Sequence, residues 1–457
     1  MGDNRTLFAA QARALLALGL PMIGSNLAQI GLHVTDTVMM GWYSVPALAA
    51  VVLGASSFFI LFILGSGFGV AIMPLVASAV AAGDDTESRR ATRMGLWLST
   101  LYAALAYPIF WFSGPIFLAL GQKPETAAIA QSFMRIAGLG LAPALYVMAL
   151  KSYLAAHEKT QVVLWATLGG LAINAAGNWA FIFGHWGAPE MGASGSALAT
   201  LLTQIFGLIV IVAYAAAHPA LRRHQLFRRF WRPDWPGFGR VFRLGYPIGL
   251  TSLAEGGLFQ ATALMMGWIG TVQLAAHGIA LELASITFMV HLGLSQAATV
   301  RVGRAHGRRD GAELRAAALS AQALSVAFAL ICVAAFTLFP ETLIGLYIRP
   351  GDPLAPEILA FGTRLLLVAA LFQLADATQV MALGLLRGVH DTHVPMLMAG
   401  LSYWCLGIPA SYVLAFPLGL CGVGLWLGLV VGLCCAAGLM MTRFWTGPAR
   451  TPLPTTP

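Results

Sequence analysis

The chain has 457 residues, of which 58% are hydrophobic and only 10% charged, with a mean hydropathy of +0.78. Soluble domains carry about 25% charged residues, so this composition excludes an ordinary soluble enzyme and points to a polytopic membrane protein. The net charge of +8 does not imply nucleic acid as a partner, because the basic residues sit in short loops between apolar runs, where they act as topology determinants.

Apolar runs long enough to cross a bilayer fall near 14–41, 47–80, 94–118, 127–150, 161–183 and 192–217, and again near 243–269, 272–300, 316–339, 358–386, 394–416 and 420–442. The reading is an all-α polytopic membrane protein with twelve transmembrane helices in two six-helix lobes. The expected division is 1–217 for the N-terminal lobe, 218–240 for a cytoplasmic linker rich in Arg and Pro, and 241–445 for the C-terminal lobe. Residues 446–457 have too little apolar content to fold and are expected to form a disordered tail. No cleavable signal peptide is expected, since the first apolar run is too long and leads into a second.

A cytoplasmic N-terminus places all but four of the 26 basic residues (Lys123, Arg135, Arg349 and Arg364) at or beside cytoplasmic ends. That asymmetry predicts twelve spans with both termini inside. The two halves also repeat. At a shift of 226 residues, 19–32 aligns with 245–258, Met39–Trp42 with Met265–Trp268, and Leu48 with Leu274. At a slightly larger shift His157 and Glu158 match His390 and Asp391. Six spans separate the copies, an even number, so the halves run parallel through the membrane, which is a transporter architecture.

The repeat keeps its framework but not its acids: Glu255 aligns with Gln29, and Asp36 with Thr262. Four of the eighteen acidic residues lie inside spans, namely Asp36, Glu255, Glu282 and Asp376. A carboxylate at that depth costs roughly 2.5–3.5 kcal/mol on insertion scales, so a chain that retains one usually uses it. No basic residue is expected at matching depth, which leaves a proton or a metal cation such as sodium as the neutralising partner. The residues alone do not choose between the two.

Small neighbours (Ala254, Gly256, Gly257) leave room beside Glu255, while Gln373, Thr378 and Gln379 are the expected oxygen partners of Asp376. Asn174 and Asn178 are one turn apart and face the same way; lining a cavity and gluing helices are equal readings for them. Glu282 reads equally as a ligand or as a water-facing acid. His277 and His291 read as structural. Pro21 and Pro247 occupy equivalent places in the first and seventh spans, where each permits a bend.

Enzyme signals are weak. Gly65-Ser-Gly-Phe-Gly lacks the third glycine of a dinucleotide loop, the run from Gly192 falls short of a nucleophile elbow, and there is no P-loop. The five cysteines lie in apolar runs without metal-ligand spacing. A channel and a membrane-embedded lipid enzyme remain as readings from other classes; the first is disfavoured by the repeat, the second lacks a visible nucleophile. A major-facilitator transporter would share the twelve spans, but the loop at Gly83-Asp-Asp-Thr does not carry its signature.

Five stretches carry a family resemblance: 34–42 (VTDTVMMGW), 253–257 (LAEGG), 295–307 (SQAATVRVGRAHG), 387–396 (RGVHDTHVPM) and 191–200 (MGASGSALAT). Together they resemble the multidrug and toxic compound extrusion (MATE) family, in its bacterial NorM-like branch, over essentially all twelve spans. The resemblance implies a secondary antiporter of the bacterial inner membrane, with two lobes forming a V around a central cavity. It would export organic, often cationic and amphipathic compounds in exchange for sodium ions or protons, using no other cofactor and working as a monomer among membrane lipid. It also implies a cation site on the seventh and tenth spans, which match Glu255 and Asp376, and a polar group at Asp36, Asn174 and Asn178. Glu282 has no counterpart in that pattern. A lipid-linked precursor flippase of the same superfamily is the alternative within transport, and it would be expected to carry a basic cavity.

Overall fold

The computed structural model describes residues 2–222, 224–226, 228, 230–349, 351 and 353–450, with side chains from residue 6 onward. The expected tail at 446–457 is therefore described only as far as residue 450, and the rest lies outside the described residues. So do Arg223, Arg229 and the side chain of Arg5.

Each of the twelve apolar runs lies on helix. In chain order these are α1 (Gly2–Tyr43), α2 (Val45–Ala81), α3 (Asp85–Trp111), α4 (Ser113–Ala119), α5 (Pro124–Leu139), α6 (Leu141–Ala156), α7 (Gln161–Phe183), α8 (Ala193–Ala217) and α9 (Pro219–Arg222). The second half follows as α10 (Trp235–Ile269), α11 (Thr271–Arg308), α12 (Gly311–Leu338), α13 (Pro340–Gly345), α14 (Ala355–Gly388), α15 (His393–Gly400), a π-helical stretch at Leu401–Gly407, α16 (Ile408–Ala415) and α17 (Cys421–Thr446). Among the described residues nine helices are long and apolar enough to span a membrane, or ten if α5 and α6, bent by 42° at Gly140, count as one. The twelve expected spans also include α7 and α10, which lack that apolar average because they carry Asn174 and Asn178, and Glu255 with Arg240 and Arg243.

Helix starts repeat along with the spans. Asp84 caps α3 by accepting the Glu87 amide at 2.9 Å. At the shift of 226, Asp310 caps α12 by accepting the amides of Ala312 and Glu313 at 3.0 and 2.9 Å. A cap of this kind is worth about 1 kcal/mol, and the acidic side chains of Glu87 and Glu313 sit at the positive end of each helix dipole.

The helices assemble into two compact units. One takes the chain up to Ile23 together with everything from Leu250 onward; the other is Gly24–Gly249. The described part of the expected linker 218–240, which includes α9 and the first turns of α10, lies within the second unit, and both unit boundaries fall inside helices, in α1 and in α10. Pro21 and Pro247 each lie two residues before a boundary. Close helix packing is made possible by glycine. In the Gly24–Gly249 unit, a Cβ on Gly67 of α2 would overlap the backbone of Gly245 and Gly249 in α10. In the other unit, a Cβ on Gly293 of α11 would overlap the backbone of Ile23 in α1.

Candidate functional site

In the unit made of the chain up to Ile23 and from Leu250 onward, two acids face the interior. Asp376 is 1% exposed and neither of its carboxylate oxygens has a hydrogen-bond partner among the described residues. Glu255 is half-buried on α10, with its Oε1 likewise buried and without a partner. The two lie within electrostatic reach of each other and of the fully buried Tyr403. Tyr403 projects from the π-helical stretch; such stretches widen a helix by one residue per turn and recur at functional sites. Its hydroxyl accepts from Gln379 Nε2 at 2.6 Å.

The expected oxygen partners of Asp376 make other bonds instead. Gln373 Nε2 donates to Thr287 Oγ1 at 2.6 Å, Gln379 donates to Tyr403, and the Thr378 hydroxyl donates to the Leu374 carbonyl at 2.8 Å. With its amide nitrogen so committed, the side-chain oxygen of Gln379 is a buried acceptor without a donor among the described residues, whereas the Gln373 side chain bonds with His291. A set made only of carboxylate and amide oxygens suits a hard cation, which takes oxygen ligands, and equally a proton on a carboxylate. Among the described residues no cluster of three or more His, Cys, Asp or Glu could hold a metal ion, so a transition-metal reading has no support here.

One expectation is corrected. No basic residue was expected near the buried acids, yet the charge of half-buried Arg387 acts on Glu255. Sequence placed Arg387 beyond the end of its span, but α14 continues to Gly388. Lys151 was also read as a loop-end residue. It is 4% exposed within α6, where its Nζ donates to Asn26 Oδ1 at 3.0 Å and to Ser25 Oγ at 3.4 Å.

The Gly24–Gly249 unit holds the second polar group. Asp36 Oδ1 accepts from Asn178 Nδ2 at 2.6 Å and from Asn174 Nδ2 at 3.0 Å, and its Oδ2 accepts from Thr200 Oγ1 at 3.2 Å. Asn178 also donates to Asn174 Oδ1 at 3.2 Å, and His33 lies within electrostatic reach. The one-turn spacing of the two asparagines brings both onto the acid. Thr200 was missed, because a threonine in an apolar helix gives no distinguishing signal.

Glu282 is half-buried on α11, and the residue its charge acts on is Tyr347. His277 Nδ1 accepts from the Trp426 indole at 3.1 Å, and His291 Nδ1 pairs with Ser325 Oγ at 2.9 Å; both histidines are buried in packing contacts.

A membrane-embedded, all-helical protein of two parallel repeats, with a partly or fully buried acid in each unit, is built as a secondary transporter rather than an enzyme. The MatE family model matches residues 21–180 and 247–413, and the chain belongs to the MATE family of membrane transporters. The probable multidrug resistance protein NorM of Rhizobium meliloti (strain 1021) is 46% identical over 433 residues, 95% of this chain and 93% of its own length. The probable NorM of Agrobacterium fabrum is 45% identical over 432 residues, 94% of this chain and 93% of its own. A crystal structure of a eukaryotic MATE transporter superposes with a TM-score of 0.85 at 20% identity, covering 97% of each chain; at that identity the likeness establishes the fold.

Proposed function

We propose that this protein is a multidrug efflux antiporter that couples export of organic, often cationic compounds to inward movement of sodium ions or protons. The observation that carries the reading is the pair Glu255 and Asp376, whose buried oxygens have no donors among the described residues. Such acceptors are stabilised by a cation, and a cation that binds one conformation more tightly than another shifts the balance between them. In the cycle, cation binding at Glu255 and Asp376 favours the state that releases drug outside, and drug loading favours release of the cation. Asp36, with Asn174, Asn178 and Thr200, supplies a second polar site for substrate or proton. Glu282, whose charge acts on Tyr347, is an accessory site at most. The six-helix lobes exchange access in a rocking motion, with Pro21 and Pro247 as bend points.

The basic loops support placement in a bacterial inner membrane with both termini cytoplasmic. A single chain carries both acidic groups, which supports a monomer as the working unit. Relatives named as multidrug resistance proteins support drugs as the cargo.

The experiment is efflux of a fluorescent cationic dye from energised cells, with sodium and pH gradients imposed separately, for wild type and Glu255→Gln. Extrusion that follows one gradient and disappears in the variant is expected, and names the ion. Extrusion indifferent to both gradients would sink the coupling model. Absence of dye transport would favour the lipid-linked flippase.

A further inference from the structure

The arginine-rich segment 218–240 is strapped to a single helix. Within the Gly24–Gly249 unit, Leu221, His224 and Leu226 are buried, and His224 Nδ1 lies 3.1 Å from Asp85 Oδ1 at the start of α3. The Trp97 indole of α3 donates to the Phe230 carbonyl at 3.1 Å. Arg90 of α3 clamps Asp234 with a two-pronged bond at 2.6 and 2.9 Å, and Arg240 pairs with Glu87 at 2.8 Å.

These bonds also fix the depth of the strap. The apolar run of α3 begins near residue 94, so Trp97 lies about one turn inside the hydrocarbon edge and Arg90 about one turn outside it, a turn being about 5.4 Å. The headgroup layer on each side of a bilayer is about 5–8 Å thick. Phe230 and Asp234, held to those two residues, therefore bracket the border between hydrocarbon and headgroups. The strap leaves Trp231 and Trp235 83% and 68% exposed, together with the exposed guanidiniums of Arg222, Arg228, Arg232 and Arg243. Among the described residues none of these four arginines pairs with an acid; Arg228 donates to the Gln225 side-chain oxygen at 2.6 Å. The carboxylates that touch the strap are already engaged, Asp85 with His224, Glu87 with Arg240 and Asp234 with Arg90.

We propose that this strap is a binding surface for anionic phospholipid headgroups, with Trp231 seated at the border of the hydrocarbon and the four guanidiniums taking the phosphates. Tryptophan is an interfacial side chain, apolar in its ring and polar at its N–H. A guanidinium without a carboxylate partner presents a fork of donors that matches a phosphate. Each basic group near an anionic surface adds attraction, which salt screens. A soluble acidic partner could meet the arginines, but it gives no account of a tryptophan held at hydrocarbon depth, so the combination favours lipid. Pinning to α3 presents these groups at one height, without the ordering cost that a free linker pays on binding. Lipid binding here is independent of the cargo and of the coupling ion.

The test uses the full-length protein in phosphatidylcholine vesicles that contain a fixed fraction of phospholipid with brominated acyl chains, which quench tryptophan on contact. The quenching that is lost in Trp231→Phe isolates the contribution of Trp231. Brominated phosphatidylglycerol is expected to quench it about fivefold more effectively than brominated phosphatidylcholine, the ratio that one guanidinium near an anionic surface supplies. At about 1 M salt, where the Debye length is about 3 Å, the preference is expected to disappear. The double variant Arg228→Gln with Arg232→Gln is expected to lose the preference at an unchanged melting temperature, since neither arginine has an acid partner to strand. Arg228→Lys with Arg232→Lys is expected to keep it. Equal quenching of wild-type Trp231 by the two lipids at low salt overturns the proposal, whatever the variants do. No quenching of Trp231 by either lipid places the strap in water, which also overturns it and leaves a soluble acidic partner as the occupant.

Discussion

At the residue scale, the two acidic groups differ in how they are satisfied, and their variants should differ accordingly. Asp376 makes no hydrogen bond among the described residues, so Asp376→Asn removes charge without breaking a bond. We expect a folded, membrane-inserted protein whose ion-driven efflux is lost; a coupling of about 1–3 kcal/mol corresponds to a roughly 5–150-fold change. Gradient-driven dye export at wild-type rates in this variant would contradict the assignment. Asp36 instead depends on its donors. Asn178→Ala leaves a partly buried carboxylate short of a donor, at about 1–3 kcal/mol of stability, read as a lower melting temperature. The double variant with Asp36→Asn should lose less than the sum of the two, because they share one interaction. Of this second group, Asn174 and Asn178 were legible from their one-turn spacing, whereas Thr200 was not.

At the element scale, close approach and clamping are the features open to test. Gly67→Ala would drive a methyl into the backbone of α10, and Gly293→Ala into that of α1. Overpacking against backbone costs about 1–3 kcal/mol, so each variant should melt earlier and transport more slowly. Equal stability and rate would mean that these contacts are looser than the structure has them. The Arg90–Asp234 clamp gives a pH signature. Its hydrogen bond with Arg90 holds the Asp234 carboxyl down to about 2, below the ordinary carboxylate value. A depressed acid stabilises the fold above its unfolded pKa, and that contribution fades as pH falls below 4 towards 2. Arg90→Ala should therefore flatten this part of the acid limb in a thermal-stability profile, leaving the neutral region less stable than wild type. An unchanged acid limb would remove Asp234 from the account.

At the scale of the whole molecule, the driving force is the membrane. One elementary charge moving across 100 mV releases about 2.3 kcal/mol, so export by an antiporter should rise when an inside-negative potential is imposed at constant ion concentrations, provided the cycle carries net charge inward. Proteoliposomes clamped with potassium and valinomycin measure this directly. A rate independent of potential would require an electroneutral exchange, such as one monovalent cation for one monovalent cationic drug.

Much of this was written in the chain itself. The apolar runs place the twelve helices, since a bilayer requires about twenty apolar residues in regular hydrogen-bonded form. The 226-residue repeat makes the halves parallel, and four acids in an apolar setting, Asp36, Glu255, Glu282 and Asp376, stand out because charge there is costly to keep. Tertiary structure decided the rest. Arg387 lies on α14, which runs past the apolar stretch, and its charge acts on Glu255, while Tyr403, on the π-helical stretch, lies within electrostatic reach of both acids. The unit boundaries inside α1 and α10 are the clearest case. A repeat states that two halves are alike, but Gln11 against Glu313 and Arg240 against Glu87 are contacts between residues 302 and 153 positions apart in the chain. Local periodicity carries no information at that separation; only packing does.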